Sequence, residues 1–483
     1  MEKHQLSKST FIRGVQCLKS LYLHKHWPFL RDKLSAEQLA KFNRGHQVGH
    51  LAQSLFPDGI DCSPSHPSQY AKALEKTQLC IQNGTEVIYE AVFTYHKVLV
   101  MVDILVKTND GWHAFEVKSS LKISETYMLD AALQYYVVVG SGLKLTQQHL
   151  ITLNPNYVRQ GELDLQQLFT KTEITDQCIA KQSFIKGQIE AELQSLELKN
   201  SPSVAIGSHC HEPYPCDFLG HCWKSISQKS VLYMQSPSPA TRFAWHNSGF
   251  VEPDVQNTGY GAWASEIQAL TTGKPFIIKA DLAEFIDTIQ APILLLDLVI
   301  ERPALPLFEA TVPYEPLITT LAYKNLDDSS VQTVFLGMTS DNRIATMDTL
   351  LELSQSYGSI MVWQADELRA ALDGIAKHFP ETSEALDSII LKIIDLSSIV
   401  QSESVFFPIQ NAGKDLQKIG AGLGIASAQK AVKLPRLAAI ARKHAATNKG
   451  EMTPEWETDI IQFTRLNINT LNELLLLLRS YLA

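Results

Sequence analysis

Apolar positions change period along the first 140 residues. Phe11, Ile12, Val15, Leu18 and Leu21 recur at helical spacing behind the polar Ser7-Lys8-Ser9, which predicts a capped helix across 6–30. After Ser35, the positions Leu39, Phe42, Val48, Leu51, Ala52 and Leu55 predict a second helix. The period then shortens to two. Residues 86–95 and 98–107 alternate as strands, Thr108-Asn109-Asp110-Gly111 is a turn, and 112–119 form a third strand. Helical spacing returns from Glu125 to Val139. Two helices, three antiparallel strands and a helix make an α/β core rather than a bundle.

A Cys-rich segment at 210–222 closes this first unit, taken as 1–225. Residues 226–290 mix turn-rich pieces such as Ser236-Pro237-Ser238-Pro239 with short helices and read as a connector. A second α/β unit, 291–483, follows. Its strand candidates are 293–300, 332–336, 359–364 and 389–396, and a long helix, 456–482, ends it. The chain carries no internal repeat or low-complexity tract. The longest apolar run, Ala291 to Ile300, is short and holds Asp297, so no membrane span is expected. Met1-Glu2-Lys3-His4-Gln5 lacks an apolar signal region, and the expected location is the cytoplasm.

A net charge of −9 over 483 residues argues against a broadly basic nucleic-acid binder. The total hides an asymmetry. Residues 1–230 hold 23 basic and 22 acidic side chains and 12 of the 15 histidines, leaving 19 basic and 29 acidic for the remainder. An anion-handling surface therefore belongs in the first part. Seven cysteines in a reducing compartment argue for metal binding, catalysis or burial rather than disulfides.

The stretch richest in chemistry is Val102-Asp103-Ile104, the turn, and Phe115-Glu116-Val117-Lys118. Residues i and i+2 of a strand share a face, so Glu116 and Lys118 point the same way. With Asn109-Asp110 as the loop, opposed positions sum to 219 and Asp103 faces Glu116. With the favoured Asp110-Gly111 pair they sum to 221, and Asp103 faces Lys118. Either register gathers the three side chains within about 5–8 Å. Two carboxylates and a lysine beside Ile104, Phe115 and Val117 are costly unless they have a task. Oxygen ligation of a hard divalent cation is one such task, with Lys118 orienting water or stabilising developing charge. A solvated face with an ordinary ion pair is the plain alternative.

These residues resemble a known family. Asp103…Glu116-Val117-Lys118 looks like the PD-(D/E)XK core of RecB-like nucleases. Asp130-Ala131-Ala132-Leu133-Gln134-Tyr135-Tyr136 resembles the glutamine-bearing helix that follows that core. Glu90 stands where such proteins often carry a glutamate on the first strand. The resemblance implies Asp103, Glu116 and the Val117 carbonyl as ligands of Mg²⁺ or Mn²⁺, Lys118 as the catalytic lysine and Gln134 as a helper. The family's first-motif histidine sits in a G-x-x-x-H setting. In Gly45-His46-Gln47-Val48-Gly49-His50 a glycine falls at that place, and His50 or His46 is the substitute.

Cys210, Cys216 and Cys222 are spaced C-x5-C-x5-C, and Cys17 is a fourth thiol from the other end of the unit. Zinc held by four thiolates, or with His211 or His221 replacing one, suits this spacing, and so does an iron–sulfur cluster. Inert buried thiols are the third reading. A subset of RecB-like nucleases carries a [4Fe–4S] cluster on one Cys before the core and three after it. Ser9 to Lys19, with Cys17, resembles the leading element, which implies Cys17, Cys210, Cys216 and Cys222 as cluster ligands. The commoner form has a C-x2-C pair in place of one x5 spacing. Cys62, Cys80 and Cys178 read as ordinary buried or free thiols.

In the second unit, Leu294-Leu295-Leu296-Asp297-Leu298-Val299, Asp366-Glu367 and Ile394-Asp395 resemble an RNase H-like fold of the DnaQ-type exonucleases. Those enzymes hold two metals on four acids. Val299 stands where the second acid belongs and Asn467 where a late Asp belongs, which implies a degenerate site. The two units together resemble a bacterial two-domain family. The expected activity is hydrolysis of DNA, single-stranded DNA above all, by a Mg²⁺- or Mn²⁺-dependent exonuclease serving repair, recombination or defence. A non-catalytic nucleic-acid-binding or scaffold protein with a structural metal cluster is the alternative.

Overall fold

The computed structural model describes residues 5–33, 36–254, 261–409, 412–432 and 454–483, without the side chains of 36–43, 67 and 262. The chain is mixed α/β. It divides into a first unit, Met1–Ser225 with Ala304–Pro313, and a second, Ile226–Pro303 with Tyr314–Ala483.

In the first unit the helix expected across 6–30 is four elements: β1 (Leu6–Ser7), α1 (Lys8–Gln16), α2 (Leu18–His26) and a 3-10 turn (Pro28–Leu30). Leu6 is buried and pairs with Val98, and the Ser7 N–H donates to Thr10 Oγ1 at 2.7 Å, so α1 starts at the sheet. Cys17 is extended (φ −165°, ψ 115°) and separates the two helices. The next elements are α3 (Ala36–Gln53), β2 (Ile60–Asp61) and α4 (Tyr70–Gln82). Ser35, after which the second helix is predicted, lies outside the described residues.

The three strands expected at 86–119 are β3 (Val87–Tyr95), β4 (Val98–Lys107) and β5 (Trp112–Lys118), followed by α5 (Glu125–Gly140), β6 (Leu145–Leu153) and β7 (Phe169–Glu173). The sheet order is β2-β3-β4-β5-β6-β7, with β1 on β4. β6 returns parallel to β5, and α5 makes the crossover that such pairing needs. The apolar pattern misses β6 because it opens on polar Thr146-Gln147-Gln148-His149. Leu129, Ala132, Leu133 and Val137 of α5 join the strand core of Ile88, Val100, Val102 and Leu105.

In the second unit the strands are β8 (Phe276–Ile277), β9 (Ile293–Glu301), β10 (Leu317–Asn325), β11 (Gln332–Phe335), β12 (Ser359–Val362) and β13 (Ile393–Asp395). The five-stranded sheet has the order β11-β10-β9-β12-β13. β10 and β11 run antiparallel to their neighbours, whereas β12 and β13 are parallel to β9 and to each other. Residues 389–390 end the helix Ser383–Ile390 and are not part of a strand. The 226–290 stretch is no free connector, since it carries its own core of Val231, Met234 and Ile267. The Glu266 carboxylate accepts from the Gln235 and Ser236 N–H groups at 2.6 and 2.9 Å. Phe276–Ile277 pairs with Val405–Phe406 in a two-stranded sheet. The helix Pro454–Ser480 completes the unit. No helix among the described residues is long and apolar enough to cross a membrane.

The helix Gln182–Leu196 lies so close to α1 that a Cβ on Gly14 would stand 2.3 Å from Glu192 Cδ. Glu192 is fully buried, and burial pushes its pKa from 4.5 up to about 9. The native state thus holds a proton there that the unfolded chain releases. Its contribution is complete below pH 4.5 and is lost as pH rises towards 9. Glu192→Gln, which keeps the neutral shape, is expected to match wild type near pH 4.5 and exceed it at pH 8 in urea unfolding. Gly14→Ala should cost about 1–3 kcal/mol by overpacking in the same assay.

Candidate active site

The strand register decides which side chains meet. Ile104 pairs with Phe115 and Lys107 with Trp112, so opposed positions on β4 and β5 sum to 219 and Asp103 lies across from Glu116. The Thr108 N–H donates to Gly111 O at 2.8 Å, which makes Asn109-Asp110 the loop. On the other side, Tyr89 pairs with Ile104 and Ala91 with Val102, so Glu90 lies opposite Asp103. Glu90, Asp103 and Glu116 therefore form one cross-strand row on three adjacent strands. Like charges directly opposite destabilise a sheet. Glu90 also takes a left-handed φ of 52° inside a strand, a strained conformation of the kind that collects at functional sites.

Two lysines and one amide answer the repulsion. Lys118 Nζ donates to Glu116 Oε1 at 2.6 Å and to Asp130 Oδ2 at 2.5 Å. Lys8 Nζ donates to Glu116 Oε1 and Oε2 at 3.0 and 2.9 Å and stands 3.8 Å from Asp103 Oδ1. Gln134, fully buried on α5, donates to Glu116 Oε2 at 2.5 Å. Asp103 Oδ2 accepts from the Val117 N–H at 2.7 Å, which locks the carboxylate onto the neighbouring strand. Asp130 and Gln134 are i and i+4 on α5, so one helix face supplies both.

Burial pushes the Asp103 carboxyl well above its ordinary range, with Glu116 adding repulsion and Lys8 opposing it. Burial likewise carries Glu90 up to about 7. Burial acts the same way on Glu116, but Lys118 and Lys8 outweigh it and hold this carboxylate ionised, below its ordinary range. Both lysines lose hydration, and the surrounding carboxylates more than compensate, so their pKa values rise. Glu116 is 3% exposed, whereas Asp103 and Lys8 keep 23% and 22%, so the row is recessed but open on the Asp103 side.

The expected residues Asp103, Glu116, Lys118 and Gln134 come together, with Val117 between them. Among the described hydrogen bonds and ion pairs, His50 has none to this cluster. Its Nδ1 pairs with Gln53 at 3.1 Å, and it lines a cleft with Gln47, Leu51, Ser54 and Tyr89. Sequence reasoning passed over Lys8 and Asp130. Asp130 was readable four residues before Gln134. Lys8, 108 residues from Glu116, left no local signal.

The donor set fits a hard cation. Three carboxylates share one row, and Asp130 Oδ1 and Gln134 Oε1 are buried without a hydrogen-bond partner. No three His, Cys, Asp or Glu side chains among the described residues converge as ready ligands of one ion. At this row the lysine ammonium groups already take both Glu116 oxygens.

A second cluster is built of sulfur. Cys17, Cys210, Cys216 and Cys222 line one cavity of about 20 Å³ together with Ser20, His209 and Phe218. Gln16 Nε2 ties α1 to this loop through His209 O and Tyr214 O, both at 2.7 Å, and Arg13 pairs with Asp217 at 2.8 Å. The histidine at the cavity is His209, with Nε2 3.8 Å from Cys210 Sγ, and not His211 or His221. Burial raises the Cys17 and Cys222 thiols, and the neighbouring sulfurs add to it. Four cysteine sulfurs around one cavity are the donor type that a zinc ion or an iron–sulfur cluster takes, although they are not gathered as ready ligands of one ion. Cys62 and Cys80 are free and buried, with sulfurs 3.9 Å apart, and Cys178 is also free and buried.

In the second unit Asp297 Oδ2 accepts from Asn467 Nδ2 at 2.9 Å, and Asn467 Oδ1 accepts from Gln417. Burial lifts Asp297 to about 6, against the Asn467 hydrogen bond. Asp395 accepts from the Gln364 and Ala365 N–H groups at 3.0 and 3.1 Å, and Glu367 pairs with Arg302 at 2.8 Å.

Residues 297–414, about a quarter of the chain, match the model of DUF2779, a domain of unknown function. A search of curated proteins finds no match. Among solved structures, one similar chain is described as "Crystal structure of SSO0001". It is 11% identical, with 46% of this chain and 87% of that chain covered and a TM-score of 0.21.

Lys118→Met leaves Lys8 as the cation paired with Glu116 and removes the cation paired with Asp130. Breaking a part-buried pair of this kind is expected to cost about 3–5 kcal/mol in metal-free urea unfolding at pH 7. Glu116 is held ionised in the native state, so its contribution is present above the unfolded pKa of 4.5 and falls as pH drops. The gap between variant and wild type should therefore begin to narrow only below pH 4.5 and shrink further as pH falls towards the lower native value of Glu116.

Proposed function

We propose that the first unit is a Mg²⁺- or Mn²⁺-dependent deoxyribonuclease, a hydrolase acting on single-stranded DNA. The observation that carries this reading is the cross-strand row Glu90, Asp103 and Glu116 with Lys118 and Gln134 beside it. A purely structural sheet has no use for three aligned carboxylates at its centre, because their repulsion has to be offset by other groups.

Asp103 and Glu116 would hold the ion, with the Val117 carbonyl as a third donor. A bound divalent ion supplies Lewis-acid polarisation of the scissile phosphate and a more acidic water. Lys118 holds its ammonium on the row, where it orients the attacking water and offsets charge developing on the phosphoryl oxygens. Asp130 holds Lys118 from behind, and Gln134 fixes the rotamer of Glu116 by donating to Oε2. Cys17, Cys210, Cys216 and Cys222 hold a [4Fe–4S] cluster that ties the start of the unit to its end. The second unit is a platform whose Asp297 is satisfied by an amide rather than by metal.

Full-length protein purified anaerobically tests the reading. Wild type should cleave single-stranded DNA with Mn²⁺, and Asp103→Asn should lower the rate by about a thousandfold, the scale of losing a main electrostatic contributor. Equal rates for the two would sink the assignment. DNA binding by wild type without cleavage under any divalent metal would favour the scaffold reading instead. Cys222→Ser should lose iron and lower the melting temperature, while Cys178→Ser keeps its iron content.

A further inference from the structure

Lys8 is the one cation of the carboxylate cluster to which the nuclease reading gives no task. Its ammonium sits between the two carboxylates assigned to the metal, bonded to both Glu116 oxygens and 3.8 Å from Asp103 Oδ1. The remaining oxygen of Asp103 is already tied to the Val117 N–H, and Lys118 already neutralises Glu116 and Asp130. The Asp103 oxygen that remains faces Lys8.

We propose that Lys8 is a resident cation of the metal position. It holds Asp103 and Glu116 together in the metal-free protein and is displaced as a divalent cation binds, so that it sets the metal affinity of the site. The inference rests on the nuclease reading for the place of the metal. An oxygen-liganded divalent ion stands roughly 2.0–2.6 Å from its donors. Nζ occupies the same oxygens at 2.9 and 3.0 Å, so one site cannot hold both.

The backbone makes this competition strong, and the side chain makes it reversible. Lys8 opens α1, whose start is held by buried Leu6 paired to Val98. The far end of α1 is held by Gln16 on His209 O and Tyr214 O and by Arg13 on Asp217. The Cα therefore stays in place and delivers the ammonium at high local concentration. The four-carbon stem is flexible, and 22% of the side chain faces solvent, which leaves it a way out.

Manganese binding to the full-length protein, followed by isothermal titration calorimetry, tests the proposal without reference to activity. Lys8→Met and Lys8→Gln are expected to bind Mn²⁺ about tenfold tighter than wild type, the scale of one close charge pair, while Lys8→Arg stays near wild type. Equal or weaker binding by both neutral variants overturns the proposal, and so does tighter binding by Lys8→Arg, because the effect would not then follow charge. Asp103→Asn separates the two readings. If it binds Mn²⁺ as wild type does, the metal assignment itself fails. If it loses binding while the Lys8 variants are unchanged, only the role of Lys8 fails. Should Lys8→Met not fold, Lys8→Gln retains a donor to Glu116 and gives the same readout. In metal-free buffer the neutral variants should melt below wild type, and saturating Mn²⁺ should erase the difference. A deficit that persists in Mn²⁺ counts against displacement.

Discussion

Repulsion among the aligned carboxylates of β3, β4 and β5 is the constraint that organises the first unit. A sheet brings opposed residues to about 5 Å, and three acids at that spacing require cations or a proton. The protein supplies both. Lys118 comes from the same strand as Glu116, Lys8 from the start of α1, and Glu90 carries a pKa raised to about 7. α5 then has to cover the row with groups that can bond charge, which is why Asp130 and Gln134 are buried on a helix otherwise lined with Leu, Ala and Val.

α1 connects this electrostatic problem to a chemical one. Nine residues, about 13 Å of helix, separate Lys8 at the carboxylates from Cys17 at the thiol cavity. Glu192 packs against Gly14 in the middle of that span, and Gln16 and Arg13 bind the loop that carries the other three thiols. One short, well-held helix thus links the thiol cavity to Lys8.

The second unit solves a similar problem differently. Asp297, on the opening strand of its sheet, faces Asn467 and, through it, Gln417. An amide chain satisfies one acid, whereas a row of acids needs charge. The partners present thus distinguish a row of acids answered by charge from a single acid answered by neutral hydrogen bonds.

Much of this was legible in residue order. The alternation of β3, β4 and β5, the shared face of Glu116 and Lys118, and the helical spacing of α5 are local, with periods of two and 3.6 set by backbone geometry. The same geometry left two hairpin registers open, and only pairing across the sheet selected the sum of 219. The break at Cys17, the polar opening of β6 and the folding of 226–290 into the second unit were decided by packing partners far along the chain. Lys8 shows the limit most clearly. Nothing near it in sequence indicates that its charge will meet Glu116, because that contact closes a loop of 108 residues. The sequence by itself determined which faces carry charge. Tertiary structure decided which charges meet, since electrostatic energy depends on distances that chain order does not encode.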